Sequence, residues 1–129
     1  MLNSHHLLTL LLLFISCKEI KTEELLHNQN LIYFSSTRIA ELGDEKWLAV
    51  QSKIDDKIKI EYIDDIIFAS RFIDVNACGN YAGDIQFQKD SIYLMYKLLP
   101  GDLCTSRAID KVTYIIKNPE MKEYKLAVK

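Results

Sequence analysis

Hydrophobic and polar residues follow two different patterns along the chain, and the change falls near residue 30. Before it, Leu7 to Ile15 is apolar except for Thr9, and no Asp, Glu, Lys or Arg precedes Lys18. After it, apolar and polar residues alternate with a period of two, which is typical of strands with one buried and one solvated face. The alternation is clearest in residues 57–63, 84–88, 90–99, 111–117 and 122–129. The pattern therefore predicts a mainly β protein.

Turn-forming residues separate these predicted strands. Residues 88–91 (Gln-Lys-Asp-Ser) predict a tight hairpin that extends from Ile85 to Leu98 and turns at Lys89-Asp90. Residues 100–102 (Pro-Gly-Asp) predict a wider loop, and residues 118–120 (Asn-Pro-Glu) a break before the last strand. We expect residues 31–129 to form one small antiparallel sheet structure: a meander, a sandwich or a partly open barrel.

Three other segments carry less regular patterns. Residues 65–77 are the most apolar part beyond the leader, and they predict a long central strand in the core, bent or bulged near Asp74. Thr37 to Gly43 predicts a single helical turn capped by Thr37 and stopped by Gly43. Residues 46–52 fit a strand or a helix equally well, so helices are expected only near the N-terminus.

The leucine-rich leader predicts a signal peptide rather than a membrane span. A helix that crosses the hydrocarbon core needs about 20 apolar residues, whereas the apolar part of a secretory signal needs about 7 to 15. The leader has nine residues from Leu7 to Ile15 and ends at Ser16-Cys17. The alternative is an uncleaved hydrophobic N-terminus with an idle thiol.

The end of this leader, Phe14-Ile15-Ser16-Cys17, resembles the lipobox of bacterial lipoproteins, and with Lys18-Glu19 it is most similar to lipoproteins of the Bacteroidota. The resemblance implies cleavage of residues 1–16 and lipid on the Cys17 thiol, so that membrane lipid is the first partner. Residues 17–30 are then a polar tether. We expect a lipid-anchored protein of the cell envelope at the outer membrane, facing either the periplasm or the surface.

Lipidation of Cys17 would leave two of the three cysteines, Cys78 and Cys104, in an oxidising compartment. We therefore predict an intrachain disulfide between them. It would stabilise the fold by about 3.5 kcal/mol through the entropy of the closed loop. The alternatives are two reduced buried thiols or a free Cys104 on an exposed loop.

The stretch Cys-Gly-Asn-Tyr-Ala-Gly at residues 78–83 resembles the Cys-Asn-x-Tyr-x-Gly signature of the META domain, with Cys78, Tyr81 and Gly83 at matching offsets. Trp47 is similar to that family's early tryptophan, and Cys104 to its later cysteine. The asparagine is displaced to Asn80, and the last third of the chain does not resemble the family. The resemblance implies a small antiparallel β domain of the bacterial envelope and no catalytic residues.

Composition and charge exclude other classes. The chain has 129 residues, 49% of them hydrophobic and 26% charged, which is typical of a folded domain. Sixteen Lys and Arg are interleaved with eighteen Asp and Glu, for a formal charge of −2. Because nucleic-acid binding usually needs a concentrated basic face, we expect no nucleic-acid partner.

Catalytic and metal-binding patterns are weak in the sequence. The part after the leader has one histidine, His27, and no CxxC or HxxxH motif. The acid pairs Asp55-Asp56 and Asp64-Asp65 are interpreted as turn residues because no calcium-loop pattern accompanies them. We therefore predict no catalytic residues, no metal site and no cofactor.

Tyrosine is the remaining compositional feature, with seven residues on strand-like segments. An exposed group of Tyr81, Tyr93 and Tyr96 would make a recognition patch.

By elimination, a membrane-tethered, non-catalytic binding or assembly module is the leading function. A small-ligand carrier with a β cavity and an envelope enzyme are the alternatives, and an envelope protein, a secreted protein or a glycan are the candidate partners.

Overall fold

The computed structural model of the chain describes residues 27–55 and 57–129, which form seven strands and one short helix. The predicted signal peptide, Cys17 and the tether up to residue 26 lie outside the described residues. In chain order, the elements are β1 (Leu31–Glu41), α1 (Trp47–Gln51), β2 (Lys59–Ile63), β3 (Ile66–Asn76), β4 (Tyr81–Gln88), β5 (Ser91–Leu98), β6 (Arg107–Lys117) and β7 (Lys125–Val128). In the described part, no helix has the length and apolar character needed to cross a bilayer.

The strands form two sheets, which confirms the prediction of a mainly β fold rich in antiparallel pairs. The first sheet has the order β1-β6-β3-β2, and the second has the order β4-β5-β7. Both sheets are open, and neither closes into a barrel. The order departs from the expected antiparallel meander, because β6 joins the first sheet instead of pairing with β5, and β7 pairs parallel to β5. The connection after β6 brings the chain beside the start of β5, where the Lys125 N–H donates to the Asp90 carbonyl, so β7 runs in the direction of β5.

One hydrophobic cluster fills the space between the two sheets. The inner face of β6 contributes Val112, Tyr114 and Ile116, which are almost completely buried. The Tyr114 hydroxyl donates to the Met95 carbonyl at 2.8 Å, so this polar group is satisfied inside the core. The other buried members of the cluster are Leu31, Ile67, Ala69, Ile85, Ile92 and Leu94.

A second cluster lies on the outer face of the first sheet. Trp47 and Val50 of α1 pack there against Ala40 and Ile109. Residues 46–52 fit a strand or a helix in sequence, and the structure is helical at residues 47–51. In a helix, Trp47 and Val50 lie three positions apart on one face, so both can be buried against the sheet. Both clusters lie within residues 27–129, so this part of the chain carries its own core and is expected to fold without the leader.

Two local predictions are wrong. The segment from Thr37 to Gly43 is not a helical turn, because β1 continues to Glu41, where its pairing with β6 outweighs the local capping pattern. No bulge occurs near Asp74, since β3 pairs with β6 in unbroken register from Ile66 to Asn76. The irregularities lie instead in β1, between Leu31 and Tyr33 and between Arg38 and Ala40.

The predicted tight turn between β4 and β5 is present. Gln88 pairs with Ser91, and Lys89 has φ +53°, a left-handed conformation that suits the twist of a two-residue hairpin. Asp64 has φ +50° in the hairpin between β2 and β3. The acid pair Asp64-Asp65 therefore forms a turn, as the sequence interpretation expects.

The predicted disulfide between Cys78 and Cys104 is present, with a Cα–Cα distance of 5.6 Å. Asn76 fixes both cysteines: its Nδ2 donates to the Cys104 carbonyl at 2.5 Å, and its Oδ1 accepts from the Cys78 N–H at 3.0 Å. The bridge joins the end of β3 to the loop before β6. It thereby holds the Gly79-Asn80 turn at one end of the sandwich.

Candidate functional site

A cleft of about 370 Å³ opens at the end of the sandwich next to the disulfide. We call it the tyrosine cleft. Its walls come from β1, β6 and the turn that leads into β4. Its lining residues are Phe34, Ser35, Ser36, Arg38, Gly79, Asn80, Tyr81 and Asp110.

Strand register places charged residues on the inner face of the first sheet at this cleft. Phe34, Ser36 and Arg38 alternate along β1, and Arg38 lies directly opposite Asp110 on β6. Asp110 is only 4% exposed and occupies the same face as the core residues Val112 and Tyr114. A carboxylate in this position requires compensating partners.

Asp110 receives one partner on each carboxylate oxygen. Arg38 Nε donates to Oδ1 at 2.7 Å, and Ser36 Oγ donates to Oδ2 at 2.7 Å. The hydrogen bond to Asp110 is the main cause of a raised pKa of Arg38, and burial acts in the opposite direction. The pair is therefore an ionic pair with good hydrogen-bond geometry.

Arg38 also connects the pair to its surroundings. One terminal nitrogen donates to Glu41 Oε1 at 2.8 Å, and the other donates to the Ala77 carbonyl at 3.1 Å. Since Ala77 precedes Cys78, the guanidinium links β1 and β6 to the disulfide loop. The geometry of the cleft is thus fixed by covalent and ionic contacts together.

Phe34 and Tyr81 supply the aromatic lining of the cleft, and Tyr96 stacks on Tyr81. The rings of Tyr81 and Tyr96 stack with centroids 4.7 Å apart and planes inclined by 11°. Because Ser36 uses its single proton for Asp110, the Tyr96 hydroxyl is the donor in its 3.0 Å contact with Ser36 Oγ. Burial is the largest cause of a raised pKa of Tyr96. The Tyr81 hydroxyl accepts from the Asn76 N–H at 2.9 Å, which leaves its own proton for another acceptor.

The three tyrosines predicted as a recognition patch do not all meet. Tyr81 and Tyr96 are together, but Tyr93 lies on the opposite face of β5, in register with Gln86 and Ala127. Residues three apart on one strand point to opposite faces, which explains the separation.

The motif residues around the cleft have defined structural roles. Gly83 lies under the ring of Phe34, and a methyl group at Gly83 would overlap that ring. A methyl group at Gly79 would lie 2.9 Å from Tyr81 and Leu98. Cys78 forms the disulfide, and Tyr81 forms the stack.

Sequence reasoning missed Ser36, Arg38 and Asp110. A signal for Asp110 exists in β6, because its position falls in phase with the buried residues Ala108, Val112 and Tyr114. A carboxylate at an apolar phase of a strand indicates a buried polar site.

A second, mostly apolar cleft of about 370 Å³ lies beside the start of the described chain. Ala82 and Met95 line it together with His27, whose Nε2 is 3.1 Å from the Leu31 carbonyl oxygen. Asp84, at the same cleft, accepts from the Asn28 N–H at 2.9 Å. Across the part of the chain that is described, no group of three His, Cys, Asp or Glu side chains has the arrangement of a metal site.

Comparisons with protein-family models, with curated proteins and with solved structures found no match to this chain. The resemblances to the lipobox and to the META signature remain predictions from their motifs. The assignment of function therefore depends on the chemistry of the clefts.

Proposed function

We propose that this chain is a lipid-anchored binding module of the bacterial envelope, and that the tyrosine cleft is its recognition site. The anchor is supported by the leader that ends at Ser16-Cys17 and by the disulfide Cys78–Cys104, since disulfides persist in oxidising compartments. Two or more acyl chains at Cys17 would anchor the protein stably, whereas one would do so only marginally.

The anchor is tested by expressing the full chain and its Cys17→Ser variant in a bacterium fed labelled palmitate. The wild type should take up label and sediment with membranes, and Cys17→Ser should do neither. A full chain with Cys104→Ser is the matched control, because it loses a different thiol and should still be labelled. Equal membrane attachment of wild type and Cys17→Ser would refute the anchor.

A single observation carries the proposed recognition function: the buried Asp110, its partner Arg38 and the Tyr81 ring, which stacks on Tyr96, come together at one open cleft that Asp110, Arg38 and Tyr81 line. Buried charges cost stability unless they are paired, so their presence at a cleft rather than within a closed core favours a role in recognition. The disulfide and Asn76 hold the loop that carries Asn80 and Tyr81. The cleft is therefore preorganised, which lowers the entropic cost of binding.

The chemistry of the cleft favours a hydroxyl-rich ligand such as a short glycan segment. Aromatic rings pack against the C–H faces of a sugar, and planar amide, carboxylate and guanidinium groups bond its hydroxyls in pairs. The Asn80 amide and the Tyr81 hydroxyl supply such groups at the rim. A ligand with a strong negative charge is disfavoured, because the cleft already contains the carboxylate of Asp110.

Binding is tested with residues 18–129, which lack Cys17, by calorimetric titration with N-acetylglucosamine oligomers and soluble peptidoglycan fragments. We expect Tyr81→Ala to reduce the affinity at least about tenfold, the effect expected when an aromatic anchor is lost. Tyr93→Ala is the matched control, because it removes a tyrosine from the opposite face of the same hairpin and should bind as wild type does. Equal affinities of the two variants would remove the cleft from the proposal.

The carrier alternative has one observation in its favour, the apolar cleft beside His27, Ala82 and Met95. It is open to solvent and at about 370 Å³ lies near the lower limit of small-molecule sites. An apolar fluorescent probe that binds the wild type but not the Ala82→Gln variant would favour the carrier. The glycan proposal predicts instead that saccharides do not bind in this apolar cleft.

A further inference from the structure

The mostly apolar cleft beside His27 lies on the outer face of the second sheet, and we call it the His27 cleft. In β4, Ile85 points into the core, whereas Ala82 and Asp84 point the opposite way, since neighbouring residues of a strand alternate between faces. Met95, opposite Asp84 on β5, lines the cleft from the same face. In the described part of the chain, the one helix packs on the first sheet, so no described helix covers the cleft.

Hydrogen bonds fix where the chain enters this cleft. The Asn28 N–H donates to Asp84 Oδ1 at 2.9 Å, and the Leu31 N–H donates to the Asn28 carbonyl at 2.9 Å. His27, the residue before Asn28, lies in the cleft wall. Because consecutive Cα atoms are about 3.8 Å apart, residues 25 and 26 come within about two such steps of the cleft wall.

The sequence directly before His27 is apolar, whereas the rest of the tether is polar. Leu25 and Leu26 follow residues 18–24, in which Ile20 is the only apolar residue. The tether thus carries its apolar pair at the point where the chain reaches an apolar cleft. Transfer of two leucine side chains from water to such a surface is favourable, and its entropic cost is small because His27 already holds the end of the segment.

Charge favours the same placement. Lys97 and Lys129 lie at the rim of the cleft, and Glu23 and Glu24 directly precede the two leucines. The acid described in the lining, Asp84, already accepts from two backbone N–H groups. Attraction between exposed charges is modest and screened by salt, so burial of the leucines is the main contribution.

We propose that Leu25 and Leu26 of this chain occupy the His27 cleft, as a strap over the outer face of the second sheet. The strap closes the cleft to small apolar ligands, so it excludes the carrier alternative in the intact chain. It also shortens the free tether to residues 17–24, which span at most about 29 Å when extended. Only the consequence that the domain is held close to a membrane rests on the proposed anchor at Cys17.

The test compares residues 18–129 with residues 27–129, which contain both hydrophobic clusters, and uses the neutral apolar dye phenylnaphthylamine as the probe. We expect residues 27–129 to bind the dye at least about tenfold more tightly, because a cleft that the strap fills in about nine molecules of ten is available only in the tenth. Leu25→Ser/Leu26→Ser in residues 18–129 should bind the dye as residues 27–129 do. Ala82→Gln in residues 27–129 should abolish binding, which places the dye in the cleft.

Nuclear magnetic resonance gives a second measurement that needs no dye. The amide signals of Ala82 and Met95 in residues 18–129 should differ from those in residues 27–129, and Leu25→Ser/Leu26→Ser should move them to the positions of the shorter form. Ile20→Ser is the matched control, because it removes the remaining apolar residue of the tether and should leave these signals as in wild type. Where the dye binds neither form, this comparison decides alone.

Three results would overturn the strap. Ala82 and Met95 signals that are identical in wild type and Leu25→Ser/Leu26→Ser would show that the leucines do not reach the cleft. Equal, tight dye binding by the two lengths of chain would assign the cleft to a small apolar ligand. Dimers of residues 18–129 that Leu25→Ser/Leu26→Ser dissociates, measured by sedimentation, would assign it to the leucines of a second copy. Since both forms lack Cys17, none of these results depends on the anchor.

Discussion

Asp110 on β6 faces Arg38 on β1 across the sheet, and the 2.7 Å hydrogen bond between them lies at the base of the tyrosine cleft. Ser36 completes the contact from the other carboxylate oxygen. Because Asp110 is buried while the Arg38 side chain is 32% exposed, loss of the carboxylate leaves a partly buried guanidinium without its main partner.

We expect Asp110→Asn to lower the free energy of unfolding by about 3 kcal/mol, the lower end of the range for a broken buried pair. Glu61→Gln, which breaks the exposed pair with Lys59, should change the free energy of unfolding far less, because solvent screens exposed ion pairs. Urea denaturation of both variants measures the difference. Similar losses in the two variants would show that Asp110 is not a buried partner.

Gly83 gives a steric prediction. A methyl group at Gly83 would overlap the Phe34 ring, so Gly83→Ala should lower the free energy of unfolding by about 1 to 3 kcal/mol, the usual cost of overpacking. In a Phe34→Ala background the same substitution should cost much less, because the obstructing ring is gone. An equal cost in both backgrounds would show that the ring is not the cause.

The disulfide gives a third prediction. Replacing both Cys78 and Cys104 by Ala should lower the free energy of unfolding by about 3.5 kcal/mol through the entropy of the unfolded chain. The wild type under reducing conditions should lose a comparable amount, and the reduced double variant should lose nothing further. Mass spectrometry of the non-reduced protein checks the premise, since two freely alkylated thiols would contradict the bridge.

The buried Tyr114 and the half-buried Tyr96 give a pH prediction. Burial raises the pKa of Tyr96 and Tyr114 above the ordinary value of 10.0. Above pH 10 these residues ionise in the unfolded chain before they do so in the folded protein. Their contribution to stability is therefore complete below pH 10 and is lost as the pH rises beyond it.

Urea denaturation between about pH 8 and about pH 11 measures this effect. Tyr114→Phe should start about 1 kcal/mol less stable, because it loses the hydrogen bond to Met95, but should lose less stability above pH 10 than wild type. Tyr33→Phe, at an exposed position, should follow the wild-type pH curve. Parallel curves for wild type and Tyr114→Phe would contradict the assignment.

The sequence predicts the fold where local and tertiary preferences agree. In the β4–β5 hairpin, alternation on both sides and a two-residue turn at Lys89-Asp90 define the register. At Thr37–Gly43 the local pattern favours a helical turn, but β1 pairs with β6 as far as Glu41. A local sequence pattern contains no information about this distant partner strand. The parallel pairing of β7 with β5 likewise depends on tertiary structure, because the connection after β6 must bring the chain beside the start of β5.

The candidate site is only half predictable. The hairpin register places Tyr96 opposite Gly83 and in phase with Tyr81, and it also separates Tyr93 from both. Asp110 and Arg38 meet only through the non-local pairing of β1 with β6. Alternation indicates that Asp110 is in a buried phase, but it does not identify its partner.

The central claim is that the tyrosine cleft recognises a hydroxyl-rich ligand, and the most direct measurement maps the bound saccharide by nuclear magnetic resonance on residues 18–129. Titration with N-acetylglucosamine oligomers or peptidoglycan fragments should move the amide signals of Ser36, Asn80 and Tyr81, and leave those of Tyr93 and Lys111 unchanged. Signals that remain unchanged at the cleft, or that move only elsewhere, would contradict the account.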